Sequence, residues 1–316
     1  MPPSRTTLRR IDRADRIVIV PDRRCPGPGA NEQAGPSDRQ NFLRRTASAL
    51  VLAPLAIGTA FVGGWIFAAA CTVTAALVLW EWSILVSRAA DWRILAPGLP
   101  ALCAAAVLAH NNAPGMAIAA VALGAFGAAV ATAVQPRGER RSARVVLWAA
   151  AGLVYAGIVL TSPIVLRSDP QMGFAALAFL FATVWATDIF AYLTGRRLGG
   201  PLLWSRLSPK KTWSGAVGGL AGGVVAGALV AYASAGTYPV AAGVLALILS
   251  IAAQGGDLLE SSVKRRFGAK DTSTLIPGHG GVMDRVDGFL VAALIAVVIG
   301  TLRFGAAASA RGLLLW

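Results

Sequence analysis

The sequence has few charged residues and very few acidic ones. Only 14% of its 316 residues are charged, and Asp and Glu together number 15. Soluble domains carry roughly 25% charged residues, so this composition argues against a soluble globular protein. Cysteine and histidine are also scarce, with three and two copies and no CxxC motif. This scarcity disfavours a zinc site or a disulfide framework.

Long apolar runs take the place of the missing charge, and 56% of the residues are hydrophobic. A run of about 17–25 apolar residues is long enough to cross a hydrocarbon core of roughly 30 Å, and such a run must be helical because lipid offers no hydrogen-bond partners. We therefore predict an all-α polytopic integral membrane protein with about nine transmembrane helices. The predicted spans are 46–63, 65–87, 94–110, 114–135, 145–166, 172–195, 213–234, 238–254 and 287–303.

The loop charges predict a cytoplasmic N-terminus. The connections on the cytoplasmic side are then 88–93, 136–144, 196–212 and 255–287. All four are basic or rich in charge, whereas the connections on the other side carry one arginine and one aspartate in total. This alternation agrees with the positive-inside rule. The C-terminal tail, with Arg303 and Arg311, fits less well on the outer side.

The net charge of +14 is spread over short loops and an N-terminal tail. A dispersed charge of this kind favours attraction to anionic lipid headgroups and disfavours nucleic-acid binding. Residues 1–44 hold nine arginines and one short apolar run, so we predict a disordered basic cytoplasmic tail. We assign 45–144 to N-terminal transmembrane helices and 145–316 to a C-terminal transmembrane domain that contains the loops 196–212 and 255–287.

The segment 255–288 concentrates the acidic residues of the chain, because it holds five of the 15. If the ninth helix starts near Met283, Asp284 and Asp287 lie at positions i and i+3 and share one face. Two carboxylates on one face can hold Mg²⁺ against substrate phosphates. The alternative is helix capping, which accounts well for one aspartate and less well for two.

The residues just before this pair also form a shared face. Read as a continuation of the eighth span, Asp257, Glu260, Ser261 and Lys264 lie on one side of a helix. A solvated helix end with an internal ion pair is the open alternative. Lys270 follows in the loop as a candidate phosphate contact.

A glycine-rich stretch, 277–281, joins these two groups and contains His279. Glycines let backbone N–H groups approach an anion closely, and His279 among them could touch a phosphate or donate a proton. A simple turn with an exposed histidine is the alternative.

The other cytoplasmic loop carries a second signal. Ser208 suits a helix N-cap and Pro209 suits the first helical position, so the seventh helix would present Lys210 and Lys211 at its N-terminus. Helix N-termini bind phosphate. Anchoring at the membrane interface by the lysines and Trp213 is the alternative.

Two further acids lie inside predicted spans. Asp188 is in the sixth span, about two turns from its cytoplasmic end, where an ionisable group is costly and is therefore a functional candidate. Glu81 in the second span is similar but lies nearer the end of its helix, so we give it less weight.

Taken together, these motifs resemble the phosphatidate cytidylyltransferase (CDP-diacylglycerol synthase) family. The family signature stands here as Ser261-Ser-Val-Lys264-Arg265, Lys270-Asp271, Pro277-Gly-His279-Gly280-Gly281 and Asp284-Arg285-Val-Asp287. The stretches Ser208–Trp213 and Asp188–Gly195 are similar to other family motifs. Ser214 is a departure, because relatives usually have glutamate before the following glycine.

The resemblance implies that CTP and phosphatidic acid react to give CDP-diacylglycerol and pyrophosphate with Mg²⁺, with a second cation left open. It implies that the C-terminal domain is catalytic and that the protein lies in the bacterial inner membrane. Expected partners are CTP, phosphatidic acid and membrane lipids, with a homodimer left open and no nucleic acid. The metal candidates are Asp257, Asp284, Asp287 and, more weakly, Asp188. The catalytic and phosphate-binding candidates are Lys264, Arg265, Lys270, His279, Arg285, Ser208, Lys210, Lys211 and Ser261.

Two other functions stay open at this point. A CTP-dependent lipid kinase would use similar carboxylates and cations but would transfer the terminal phosphoryl group to a lipid alcohol. A transporter or channel would place charges through the midplane of several helices, whereas here they concentrate on one side.

Overall fold

The computed structural model describes residues 38–134, 142–205, 207–273, 275 and 280–316. Within these ranges the chain forms helices and one two-stranded antiparallel sheet. The long helices are α1 (Asp38–Val62), α2 (Gly64–Ser87), α3 (Trp92–His110), α4 (Pro114–Ala133), α5 (Ala143–Arg167), α6 (Gly173–Leu198), α7 (Trp213–Ala235), α8 (Pro239–Arg266) and α9 (Met283–Phe304). The short elements are β1 (Leu202–Trp204), β2 (Ser208–Thr212), a 3-10 turn (Ala306–Ala308) and α10 (Ser309–Leu314).

The predicted all-α polytopic membrane fold is confirmed. In the described part of the chain, the eight helices α2 to α9 are long and apolar enough to cross a membrane. The first predicted span corresponds to α1, whose apolar part is the shorter segment Leu50–Val62. Because α1 begins at Asp38, residues 38–44 are helical, and residues 1–37 of the expected tail lie outside the described residues. The membrane crossing of α1 stays a prediction.

The ends of α8 and α9 place the acidic motif on helices. The eighth apolar run was predicted to end at residue 254, and α8 continues to Arg266, so its last turns are charged. This continuation agrees with the shared face that the sequence predicts from Asp257 to Lys264. α9 begins at Met283, as the shared face of Asp284 and Asp287 requires.

The predicted N-cap of the seventh helix is wrong. Ser208 is the first residue of β2, and it pairs with Trp204 while Thr212 pairs with Leu202. The hydroxyl of Thr212 caps α7 instead, because it accepts a hydrogen bond of 3.1 Å from the backbone N–H of Gly215. Strand pairing keeps the backbone extended as far as Thr212, so the helix starts only at Trp213. Pro209 is compatible with β2 because both strands of a two-stranded sheet are edge strands.

Small residues bring α6 and α7 into close contact. A Cβ atom on Gly215 would lie 2.8 Å from the carbonyl oxygen of Ala191, and one on Gly219 would lie 2.8 Å from that of Thr187. Both distances are too short for a real side chain, so only glycine permits this approach. The contact holds the β1–β2 hairpin and the start of α7 beside the end of α6.

At one end of the bundle, α10 folds back against the connection between α5 and α6. Asp169 is fully buried and accepts hydrogen bonds from the backbone N–H (3.0 Å) and Nε (3.2 Å) of Arg311. Thr237 in the α7–α8 connection donates to the carbonyl of Leu314 at 2.7 Å, and Arg303 donates to a carbonyl of α10. The arginines of the C-terminal segment are therefore bonded within the protein. We call this the Asp169 end.

Candidate active site

Four carboxylates face one another where the end of α8 meets the start of α9, at the opposite end of the bundle. Asp257 interacts electrostatically with Asp287, and Glu260 interacts electrostatically with Asp284. The i, i+3 spacing on each helix produces this arrangement, because both helices present one acidic face and run in opposite directions. We call this the Asp284 end.

Glycine makes the crossing of α8 and α9 close enough for these contacts. A Cβ atom on Gly256 would lie 2.4 Å from the carbonyl oxygen of Asp287, and one on Gly288 would lie 3.1 Å from that of Ala253. A larger residue at position 256 would force the two helices apart. The two glycines adjoin Asp257 and Asp287 in sequence, so the same short motifs supply both the acids and the close approach.

Lys264 bridges the pair formed by Glu260 and Asp284. Its Nζ lies 2.8 Å from Oε2 of Glu260 and 2.7 Å from Oδ1 of Asp284, and its side chain is only 12% exposed. Lys211, at the end of β2, donates to Oδ2 of Asp257. Lys264 therefore contacts the pair Glu260/Asp284, and Lys211 contacts Asp257 of the other pair. Both lysines were candidates from the sequence, and they come from two separate segments of the chain.

Glu260 contains an unsatisfied polar atom. Its side chain is 1% exposed, and Oε1 has no hydrogen-bond partner among the described residues, whereas Oε2 is bonded to Lys264. A buried carboxylate oxygen without a donor costs about 1–3 kcal/mol or more. This atom can therefore accept a cation or a proton donor that enters the site. Sequence reasoning placed Glu260 on the acidic face but did not include it among the metal candidates.

Asp284 also organises the loop that precedes α9. Its Oδ2 accepts hydrogen bonds from the backbone N–H groups of Thr272 (3.2 Å) and Gly281 (2.9 Å), and from the hydroxyl of Thr272 (3.1 Å). Helix capping, the alternative that the sequence left open for this aspartate, is not observed at Asp284, whose partners are the preceding loop and Lys264. Asp287 accepts a hydrogen bond of 2.7 Å from the backbone N–H of Gly288.

Glu81 is the residue whose importance the sequence understated. It lies on α2, is 0% exposed, and accepts hydrogen bonds from both sides of the loop that connects α8 and α9. The signal in the sequence was an acidic residue within an apolar run, which is costly in a membrane protein. Its partners lie about 200 residues further along the chain, so only the fold reveals them.

The last two residues of the predicted glycine-rich turn, Gly280 and Gly281, approach side chains of the protein. A Cβ atom on Gly281 would lie 2.0 Å from Oγ1 of Thr272 and 2.7 Å from both carboxylate oxygens of Glu81. In the described residues, the anions that this turn approaches are therefore side chains of the protein itself. His279 and the residues 276–278 before it lie outside the described residues.

The other candidates surround the carboxylates at greater exposure. Asp188 is exposed on α6 and interacts electrostatically with Asp257, Lys211 and Arg285. Ser208 and Ser261 are half-buried. The candidate cations Lys210, Arg265, Lys270 and Arg285 are exposed.

The departure at Ser214 has a local structural partner. Its hydroxyl donates to the carbonyl of Gly199, just beyond the end of α6, and lies 3.0 Å from the hydroxyl of Thr212. Ser214 therefore ties the start of α7 to the end of α6, and the position carries no acidic group in this chain.

Comparison with known proteins gives consistent matches. A model of the cytidylyltransferase family matches residues 43–302. A phosphatidate cytidylyltransferase of Brucella abortus is 56% identical over 155 residues, which are 49% of this chain and 57% of that protein. One of Mycobacterium leprae is 41% identical over 133 residues, or 42% and 43% of the two chains.

A phosphatidate cytidylyltransferase of Bacillus subtilis is 37% identical over 142 residues, which are 43% of this chain and 51% of that protein. The chain thus spans about half the length of the curated relatives it matches. The family model covers most of the chain, and the resemblance carried by the sequence motifs is confirmed. The chain belongs to the cytidylyltransferase family.

Proposed function

We propose that this protein transfers the cytidylyl group of CTP to phosphatidic acid and releases pyrophosphate, giving CDP-diacylglycerol. A phosphate oxygen of the lipid attacks the α-phosphorus of CTP, and the bond from that phosphorus to the bridging oxygen of the pyrophosphate breaks. The observation that supports this most strongly is the Asp284 end, where four carboxylates and two lysines from α8, α9 and β2 converge.

The carboxylates fit a Mg²⁺ ion by their chemistry. Mg²⁺ prefers hard oxygen ligands and is held by one or two carboxylates together with substrate phosphates. Among the described residues, no group of three or more Asp, Glu, His or Cys side chains is arranged to hold a metal by itself. Two carboxylate pairs and an unpartnered Oε1 of Glu260 are nevertheless present.

Asp257, Asp284 and Asp287 would hold the ion, with Asp188 as a weaker candidate and a second cation left open. When bound, a divalent cation neutralises negative charge that develops on the phosphates.

The lysines of the site have two uses in this proposal. With no substrate present they neutralise the carboxylates, as Lys264 does for Glu260 and Asp284. When nucleotide enters, the same ammonium groups can turn to the phosphates, because lysine is a flexible point charge. Catalysis of this kind depends mainly on positioning and on charge stabilisation.

The exposed cations would form an outer ring for the phosphates of the two substrates. Lys210, Arg265, Lys270 and Arg285 are exposed at this end of the bundle. We assign to His279 the orientation or protonation of pyrophosphate oxygens, and to Ser208 and Ser261 contacts with substrate. No covalent intermediate with the protein is needed, because the lipid phosphate is itself the nucleophile.

The position of the site suits a lipid substrate. The acidic turns lie where α8 and α9 meet the predicted cytoplasmic loop, so a phosphate at the membrane surface can reach them while its acyl chains stay in the bilayer. The charge of this loop supports a site on the cytoplasmic side under the positive-inside rule, and we assign the protein to the inner membrane as part of this proposal. A homodimer stays a prediction, which light scattering of the purified protein would test.

The experiment that tests the proposal uses the purified full chain with CTP labelled in its cytosine ring, phosphatidic acid and Mg²⁺. We expect label in a lipid product and pyrophosphate release that depends on phosphatidic acid. Diacylglycerol replaces phosphatidic acid in a parallel reaction. Labelled CDP with a phosphorylated lipid in that reaction would identify a lipid kinase instead. Absence of any labelled lipid product in the first would contradict the proposed transfer.

A further inference from the structure

Glu81 connects the N-terminal half of the chain to the acidic site. Its Oε1 accepts hydrogen bonds from Ser273 Oγ (2.6 Å) and the backbone N–H of Val282 (2.9 Å). Its Oε2 accepts from the backbone N–H of Met283 (2.7 Å) and lies 3.3 Å from Thr272 Oγ1. One side chain of α2 therefore holds both sides of the α8–α9 loop.

Two of the four partners favour a carboxylate at this position. The backbone N–H groups of Val282 and Met283 can only donate, one to each carboxylate oxygen of Glu81, and a carboxylate side chain offers only acceptors. Val282 and Met283 stand at the start of α9, where backbone N–H groups have no partner within the helix. Glu81 therefore satisfies buried donors that would otherwise be unpaired, and it fixes the direction in which the first turn of α9 points.

Thr272 links Glu81 to the proposed metal-binding carboxylate. The hydroxyl of Thr272 lies 3.3 Å from Oε2 of Glu81 and 3.1 Å from Oδ2 of Asp284. The backbone N–H of Thr272 also donates to Asp284 at 3.2 Å. The rotamer of Asp284 that meets Lys264 is thus held by the same loop that Glu81 holds.

A second contact from α2 strengthens this connection. Arg88 follows the last residue of α2, seven residues after Glu81, and adopts a left-handed conformation. It donates from Nη2 to the carbonyl of Phe267, just beyond the end of α8, at 2.6 Å. α2 thus holds the loop near its beginning through Arg88 and near its end through Glu81.

We propose that Glu81 is a positioning residue for the cytidylyl transfer, which fixes Asp284 and the first turn of α9 without itself touching the substrates. This inference rests on the proposed function. It assigns a specific task to α2, which supplies none of the four carboxylates of the cluster.

Glu81→Gln tests the proposal with almost no change of volume. Each carboxylate oxygen of Glu81 accepts one backbone N–H, so whichever way the amide is turned its NH₂ group faces a donor. Glu81→Asp keeps both acceptors on a shorter side chain. Ser83→Ala is the matched control, because Ser83 is also fully buried on α2 but bonds only to the carbonyl of Trp80 at 2.8 Å.

Two readouts are measured on the detergent-purified full chain. In Glu81→Gln we expect kcat to fall about 100-fold, as a misplacement of about 1 Å can cause, with the KM for phosphatidic acid changed less than about twofold. We also expect amide exchange to accelerate by roughly tenfold in peptides that cover 280–286, while peptides of α5 keep wild-type rates. Glu81→Asp should recover part of both effects, and Ser83→Ala should show neither.

Wild-type turnover and wild-type exchange at 280–286 in Glu81→Gln would overturn the proposal. So would accelerated exchange throughout the bundle, because this would show a general loss of stability. If Glu81→Gln does not yield folded protein, Ser273→Ala removes one donor to Oε1 from the opposite side, and normal kcat and exchange there would equally overturn it. If the wild type makes no CDP-lipid, the proposed function fails, and the exchange data alone still decide whether Glu81 fixes the start of α9.

Discussion

The two ends of the bundle both contain buried acidic residues, but they differ in how the charge is balanced. At the Asp169 end, one buried carboxylate meets one arginine and the backbone N–H groups of Gln171, Met172 and Arg311. At the Asp284 end, four carboxylates share two lysines, and one oxygen of Glu260 has no partner among the described residues.

This difference separates a structural contact from a site that can bind. The Asp169 contact is complete, so it needs nothing further and fastens α10 to the rest of the bundle. The Asp284 end has an excess of negative charge in a partly buried place, which is costly unless a cation enters. An unbalanced cluster at the membrane surface therefore indicates function, whereas a balanced pair indicates stability.

We expect Asp284→Asn to have the largest effect on turnover of the variants that compare the two ends. The substitution keeps the size of the side chain but removes a charge that Lys264 and the proposed cation share, so turnover should fall about 100- to 1000-fold. Initial rates of CDP-lipid formation measure this. Membrane insertion, followed by fractionation, should be unchanged. Wild-type turnover would contradict the role of Asp284 in metal binding.

Lys264→Met should have the next largest effect, and it tests the charge balance directly. Without the lysine, Glu260 and Asp284 face each other unneutralised, and breaking a buried ion pair in this way costs about 3–5 kcal/mol. We expect a lower thermal midpoint that Mg²⁺ raises more in the variant than in the wild type. Equal responses to Mg²⁺ would show that the vacated carboxylates do not accept the ion.

Gly281→Ala should lower activity by about tenfold, because the added Cβ would collide with Thr272 and with Glu81 and displace the loop. Gly255→Ala is the control, since nothing lies within 4 Å of its Cβ position and alanine is favourable in a helix. Steady-state rates of CDP-lipid formation by the two variants test this prediction. Equal rates would mean that the fit between Glu81 and Gly281 is unimportant for turnover.

Arg311→Ala should have the smallest effect on turnover. It removes the side-chain partner of Asp169, which keeps hydrogen bonds from three backbone N–H groups, so stability should fall by about 1–2 kcal/mol. The measurement is the thermal midpoint together with kcat per folded molecule. A tenfold loss of kcat without a loss of stability would contradict the purely structural role of the Asp169 contact.

The parts of the site that the sequence predicted depend on local geometry. The pairs Asp257/Glu260 and Asp284/Asp287 follow from helix periodicity, and both lie on helices as expected. The membrane spans were also predictable from local sequence, because a run of about 20 apolar residues indicates a membrane helix.

The parts that the sequence did not predict depend on contacts between distant segments. Ser208 and Pro209 form a good local N-cap signal, but pairing of β2 with β1 overrides it and moves the cap to Thr212. The four contacts of Glu81 join residues about 200 positions apart, and no local pattern encodes them. Likewise, only the packed structure shows that Oε1 of Glu260 has no donor among the residues that the structure describes.

The anchoring of the α8–α9 loop on α2 also bears on how the chain can be divided. A fragment that starts after residue 144 would keep all four carboxylates and both lysines. It would lose the hydrogen bonds that Glu81 and Arg88 make to the α8–α9 loop. In such a fragment, no contact from α2 would fix the position of α9 relative to α8. Co-expression of the missing first half should restore catalysis in trans, as in split-protein complementation.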